Sequence, residues 1–187
     1  MSETQTNHLK VTPSSVDDLR TICQSDSSTM FAILDACDEP RVPEKVRELG
    51  PDLAVSLYRG AAARDYAGVA PYLMINDETT LDWIVENLWE DPWGIFAVSK
   101  SSLEEMRKHF RQFLIVEGPD GEELYFRFYD PRVTPSFLQS SVRSECETFY
   151  GKVERYLCCE LGDDDLNHPI AYEFLSSTPH AVRARHV

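Results

Sequence analysis

Basic residues are scarce in this chain: 18 Lys+Arg stand against 32 Asp+Glu, a formal net charge of −14 over 187 residues. A surface of that sign repels phosphate backbones and anionic lipid, so nucleic-acid and membrane binding are not expected. Long hydrophobic runs are missing too, since no stretch approaches the roughly 18 apolar residues of a spanning helix. The opening "MSETQTNHLKVTPSSVDD" lacks the basic start and apolar core of a signal peptide. No glycine-rich phosphate loop occurs, which argues against a nucleotide-using enzyme. Five cysteines, at 23, 37, 146, 158 and 159, form an odd set with one adjacent pair. Disulfide frameworks and zinc sites favour separated pairs, and this spacing suits neither. The expectation is a cytoplasmic protein with reduced thiols, no cofactor and no metal.

What the chain does have is core material. Its 42% apolar and 11% aromatic residues are ample for one domain, with or without a small appendage. Residues 1–28 are polar and read as a loose arm, with one helical turn near Val16–Cys23. "TMFAILDA" (29–36), "LAVSLY" (53–58), "PYLMI" (71–75) and "GIFAV" (94–98) read as buried strands. Between them, "DEPRVPEKVRELG" is a loop and short helix stopped by Gly50. Thr79 with Asp82 can cap a helix whose Leu81, Ile84, Val85, Leu88 and Trp89 share a face. Ser102-x-x-Glu105 is a capping box for a helix with Leu103, Met106, Phe110 and Phe113 or Leu114 on its stripe. "FLIVE" then meets Gly118-Pro119-Asp120-Gly121, a turn between two strands. The alternation predicts an α/β fold with a mixed sheet flanked by helices and a smaller helical C-terminal lobe. Domain limits fall at 1–28 for the arm, 29–138 for the core and 139–187 for the lobe. In that lobe Val142, Cys146, Phe149 and Val153 have helical spacing, though Gly151 can end the helix early. "GDDD" (162–165) reads as a hinge, and Pro169 suits the first turn of a last helix carrying Ile170, Phe174 and Leu175.

The second strand of the late hairpin is "YFRFYDPRV" (125–133). As a strand it places Leu124, Phe126 and Phe128 on one side and Tyr125, Arg127 and Tyr129 on the other. Neither side is polar throughout, which predicts a central strand covered on both faces. Arg127 is then partly buried and needs a carboxylate, with Asp35 and Asp130 as candidates. Asp130-Pro131 makes an N-cap and first-turn pair before "SFLQS". Every residue of the motif, Arg132 included, therefore has a structural role open to it.

The run "FRFYDPRV" resembles the signature of the effector-adaptor chaperones of bacterial type VI secretion systems, long catalogued only as a domain of unknown function. Other pieces match in order: "FAILDA" at 31–36, "SLYRG" at 56–60, "VAPYLMIN" at 69–76, "LDWIVENLWEDPWGIF" at 81–96 and "SLEEMRKHFRQFL" at 102–114. The likeness covers about residues 29–138, and Cys37 departs from the small residue usual there. The resemblance implies a non-catalytic protein with two partners: a toxic effector, and the valine-glycine repeat spike protein at the tip of the secretion tube.

Two rival classes are open at this level. A cysteine hydrolase could be assembled from Cys37 or Cys158 with His109 or His168, although none sits in a nucleophile motif. Metal binding by Cys158, Cys159, His168 and His180 lacks ligand-pair spacing. An immunity protein that neutralises a toxin would also be small, acidic and cytoplasmic. For an adaptor, Phe149, Leu157, Phe174 and Leu175 in the tail are candidates to grip the effector. The alternative is that the tail only covers a sheet edge.

Overall fold

The computed structural model describes residues 9–37, 39–118, 120–161 and 167–174. In chain order the elements are β1 (Leu9–Pro13), α1 (Val16–Cys23), β2 (Thr29–Asp35), α2 (Arg41–Leu49), β3 (Ala54–Ser56) and α3 (Gly60–Asp65). Next come β4 (Pro71–Ile75), α4 (Glu78–Asn87), β5 (Gly94–Ser99), α5 (Leu103–Arg111), β6 (Ile115–Glu117) and β7 (Glu123–Tyr125). The series ends with α6 (Thr134–Ser140), α7 (Arg143–Tyr150), β8 (Val153–Leu161) and β9 (Asn167–Phe174).

Seven strands form one sheet in the order β1-β9-β8-β5-β2-β4-β3, and β6 and β7 form a separate ribbon. Every pairing in the large sheet is antiparallel, not mixed as the alternation of strands and helices suggested. The reason is topological. β4 and β5, joined through α4, do run the same way, but β2 lies between them and opposes both.

Side chains alternate across the sheet with period two. Met30, Ala32 and Leu34 of β2, with Phe96 and Val98 of β5, face a layer made by Leu19 of α1, Val42 of α2 and Leu81 and Ile84 of α4. Phe31 and Ile33, with Ile95 and Ala97, face Met106 and Phe110 of α5, Leu138 of α6 and Cys146 and Phe149 of α7. A sheet covered on both faces needs strands that are apolar on both sides, which is why "FAIL" and "GIFAV" carry no alternation. Gly94 opens β5 at φ +154°, and a Cβ there would stand 2.0 Å from the Ile33 carbonyl oxygen. Only glycine allows β5 to approach β2 this closely.

The capping box Ser102–Glu105 forms as expected on α5. α4 is capped two residues earlier than the sequence suggested, by the Asp77 carboxylate accepting from the Thr80 N–H at 2.8 Å. The first residues described are no loose arm: β1 pairs with β9 along its whole length, and Leu19 of α1 is fully buried.

The C-terminal part differs most from expectation, because no separate helical lobe exists among the described residues. α7 stops at Gly151, whose φ of +49° ends the helix, and Val153 starts β8 instead of extending it. β8 lies between β5 and β9, inside the sheet. The stretch carrying Pro169, Ile170 and Phe174 is β9, not a helix. A proline near an element's start serves a strand as well as a helix, and Ile170, Tyr172 and Phe174 in fact recur at spacing two. The "GDDD" segment, Leu175 and His180 lie outside the described residues.

Candidate functional site

The signature begins where β7 ends. β7 is only three residues long, belongs to the small ribbon and is exposed, so "YFRFYDPRV" is not a covered central strand. From Phe126 the backbone turns, and its rings leave in different directions. Phe128 is fully buried and stacks on Phe110, with centroids 5.6 Å apart. The Thr134 hydroxyl donates to the Phe128 carbonyl. The Tyr58, Tyr125 and Tyr129 hydroxyls form a chain with steps of 2.9 and 3.1 Å.

Arg127 donates to the Asp35 carboxylate at the end of β2; the arginine side chain is 44% exposed and that of the aspartate 7%. The other Asp35 oxygen accepts from the Cys37 N–H at 2.9 Å. Asp130 serves Arg132 and not a helix start. Its carboxylate takes the Arg132 backbone N–H and Nε at 2.9 Å each, and Nη2 at 2.7 Å. Burial pushes the Asp130 carboxyl up, but hydrogen bonds and charge from Arg132 outweigh it and hold it below the usual range. Val133, not Asp130, occupies the cap position of α6, and Pro135, not Pro131, lies in its first turn. Pro131 is buried within the turn.

A polar notch of about 320 Å³ opens on this framework, lined by Asp35, Cys37, Trp93, Arg127 and Arg132 among others. No histidine is among its lining residues, and His109 is spent elsewhere, its Nε2 lying 2.9 Å from the Phe149 carbonyl oxygen. Cys158 is buried in β8. Cys158 and Cys159 contribute to opposite faces of the sheet, so the two thiols cannot close on one ion. Among the described residues no group of three or more His, Cys, Asp and Glu is placed to hold a metal. No helix among them is long and apolar enough to cross a membrane.

A second opening is apolar. Phe113 after α5, Phe126 after β7, Phe137 of α6 and Phe149 of α7 line a groove of about 590 Å³ between the ribbon and α7. Their rings form one contiguous cluster, with centroids 4.9 Å apart from Phe126 to Phe137, 5.1 Å from Phe137 to Phe149 and 5.2 Å from Phe149 to Phe113, and Phe126 and Phe149 are themselves 6.5 Å apart. Glu117 stands on the ribbon side, and Ser144, Glu145 and Thr148 on the α7 side.

The match to a known family covers nearly all of this framework: the pattern described as "Domain of unknown function (DUF4123)" spans residues 30–147, from β2 into α7, with Thr148 and Phe149 of the groove just beyond it. The chain belongs to the DUF4123 family. Neither the curated proteins nor the solved structures supply a match. The DUF4123 match stops short of β8 and β9, although the sheet that carries the family region is completed by them.

The expected site residues are therefore dispersed. Asp35, Arg127, Tyr129, Asp130 and Arg132 are brought together at the turn. Leu157 is fully buried in the core on the far side of the sheet and presents nothing to a partner. Phe149 is nearly buried but forms part of the groove floor. Only the backbone of Phe174 is described, as the last residue of β9. Sequence reasoning missed Phe113, Phe126 and Phe137 as a surface set, because each also fits a core pattern. It also missed Arg107 and Arg111 of α5, which hold the "SLYRG" segment. Arg111 donates to the Leu57 and Tyr58 carbonyls at 2.7 Å each, and Arg107 to the Ser56 carbonyl at 3.1 Å. Burial, with the charges of Arg107 and Arg59, lowers the Arg111 pKa to about 10.

Proposed function

We propose that this DUF4123 protein is a non-catalytic adaptor. In the cytoplasm of the producing cell it binds a toxic type VI secretion effector and passes it to the valine-glycine repeat spike protein. The observation that carries the reading is the aromatic groove beside the signature. The charged residues of "FRFYDPRV" are spent on tying the turn to β2 and to itself, while the half-buried Phe113, Phe126 and Phe137 face an open trough floored by Phe149. That is the chemistry of holding another polypeptide. The ordered resemblance over residues 29–138 supplies the identity of the partners.

Handover needs no nucleotide in this scheme: effector leaves when the spike competes for it. The test is a clean deletion in the native cell, with effector followed in the culture supernatant and in the cells. Lost export from viable cells is the expected result. Self-poisoning with export intact would identify an immunity protein instead, and unchanged export with healthy cells would discard both readings.

A further inference from the structure

The groove's rim says what kind of polypeptide it takes. Glu117 and Glu145 stand on its two sides, and neither is in an ion pair among the described residues. Glu145 accepts the Val142 N–H at 2.9 Å at the start of α7 but has no basic side chain against it. The ribbon that forms one wall carries Glu117, Asp120, Glu122 and Glu123 between Ile115 and Tyr125, and no Lys or Arg. The nearest bases in sequence are committed: Arg111 to two backbone carbonyls, and Arg143 to Glu147 at 3.1 Å. An apolar floor thus lies between two acidic banks.

We infer that the groove binds an amphipathic helix of a partner protein that seats large apolar side chains on the four phenylalanines and sets Lys or Arg against Glu117 and Glu145. A helix suits this floor: the four rings form one compact cluster, spacing of i, i+3, i+4 and i+7 brings large apolar side chains together on one helix face to cover it, and a helix satisfies its own backbone groups. A second copy of this chain is the wrong occupant, since it brings another −14 and the same acidic banks.

The inference deepens the adaptor reading by stating the chemistry of the docked segment, and it rests on that reading only in taking the groove for a docking surface. Its test uses the full chain and three designed peptides followed by fluorescence anisotropy: a Leu/Lys amphipathic helix, a Leu/Glu helix with the charges inverted, and a Ser/Lys peptide of equal positive charge without apolar anchors. The Leu/Lys peptide is expected to bind, to shift the amide signals of Ser144 and Thr148, and to weaken as salt screens the rim. Thr148→Trp, which fills the groove from an exposed position, should weaken it about tenfold or more. Glu117→Lys with Glu145→Lys should cost on the order of tenfold and transfer preference to the Leu/Glu peptide. Ser144→Tyr replaces the tryptophan variant if circular dichroism shows that one misfolded. Equal binding of Leu/Glu would overturn the charge assignment, and equal binding of Ser/Lys would reduce the effect to bulk attraction. Absent Leu/Lys binding, or binding indifferent to groove filling, would overturn the site. None of these failures touches the export result of the deletion strain, and unaltered export would leave the groove standing while removing the adaptor reading.

Discussion

Cutting the chain after Gln139 removes α7, β8 and β9, and the structure predicts that what remains does not fold. The deleted residues take their own conformational entropy with them, so the loss is best judged from the surface left bare. β5 loses β8 along Ile95–Ser99 and becomes an edge. Phe110 and Phe128 lose Phe149 and Tyr156, whose rings lie 5.8 to 6.4 Å from theirs. On the other face Phe96 and Val98 lose Leu157. Re-exposing about half of the apolar surface of Ile95, Phe96, Phe110 and Phe128 costs roughly 3–6 kcal/mol, taking about 1.5–3 kcal/mol per fully buried side chain. Unpairing β1 from β9 and baring Tyr129 and Met106 add to that. A domain of this size holds only about 5–15 kcal/mol in total. Circular dichroism and a thermal melt decide the matter: no cooperative transition is expected. A truncated protein with a sigmoidal melt and dispersed amide signals would refute the reasoning and restore the tail as a separate lobe.

Two further outcomes follow from the signature and α5. Arg127→Ala strands the buried Asp35 carboxylate with only the Cys37 N–H, and should lower unfolding stability by about 1–3 kcal/mol, below the figure for a fully buried pair because the arginine is half exposed; an unchanged denaturant midpoint would show that the contact is idle. Glu105 is held down to about 2 by the Lys152 ammonium at 2.6 Å and by the Ser102 N–H and hydroxyl, against an ordinary 4.5. Its folded pKa is depressed, so its contribution is complete above about 4.5 and fades as pH falls toward about 2. Glu105→Gln, which can still cap α5, should flatten that acid limb of the melting profile; an identical pH dependence in the variant would show that other carboxylates set it.

Much of the framework is readable in the sequence because its signals are local. The box Ser102–Glu105 and the apolar stripe of α5 depend on residues three and four apart, and "FAIL" and "GIFAV" are short apolar runs that only a doubly covered strand explains. The signature is harder to read. Alternating aromatics suit a strand, yet they also suit a turn whose rings fan into a core, and the buried Asp130 clamped by Arg132 decides for the turn. Strand direction was hidden because nothing in β4, α4 or β5 records that β2 lies between them. The same limit applies to the groove. Phe113, Phe126, Phe137 and Phe149 are separated by up to 36 positions, and their cluster exists only once α5, α6, α7 and the ribbon are in place.

The strand order also sets a timetable. β5 ends at Ser99, but its neighbour β8 is not complete until Leu161, and β1 must wait for β9, which ends at Phe174. At about 5–20 residues per second, a ribosome needs roughly 3–12 s between finishing β5 and finishing β8. Throughout that interval the nascent chain presents Ile95–Val98 as an open, wholly apolar edge, the kind of template that recruits other chains. A protein proposed to shelter another polypeptide thus needs shelter itself while the 62 residues from Lys100 to Leu161 are made.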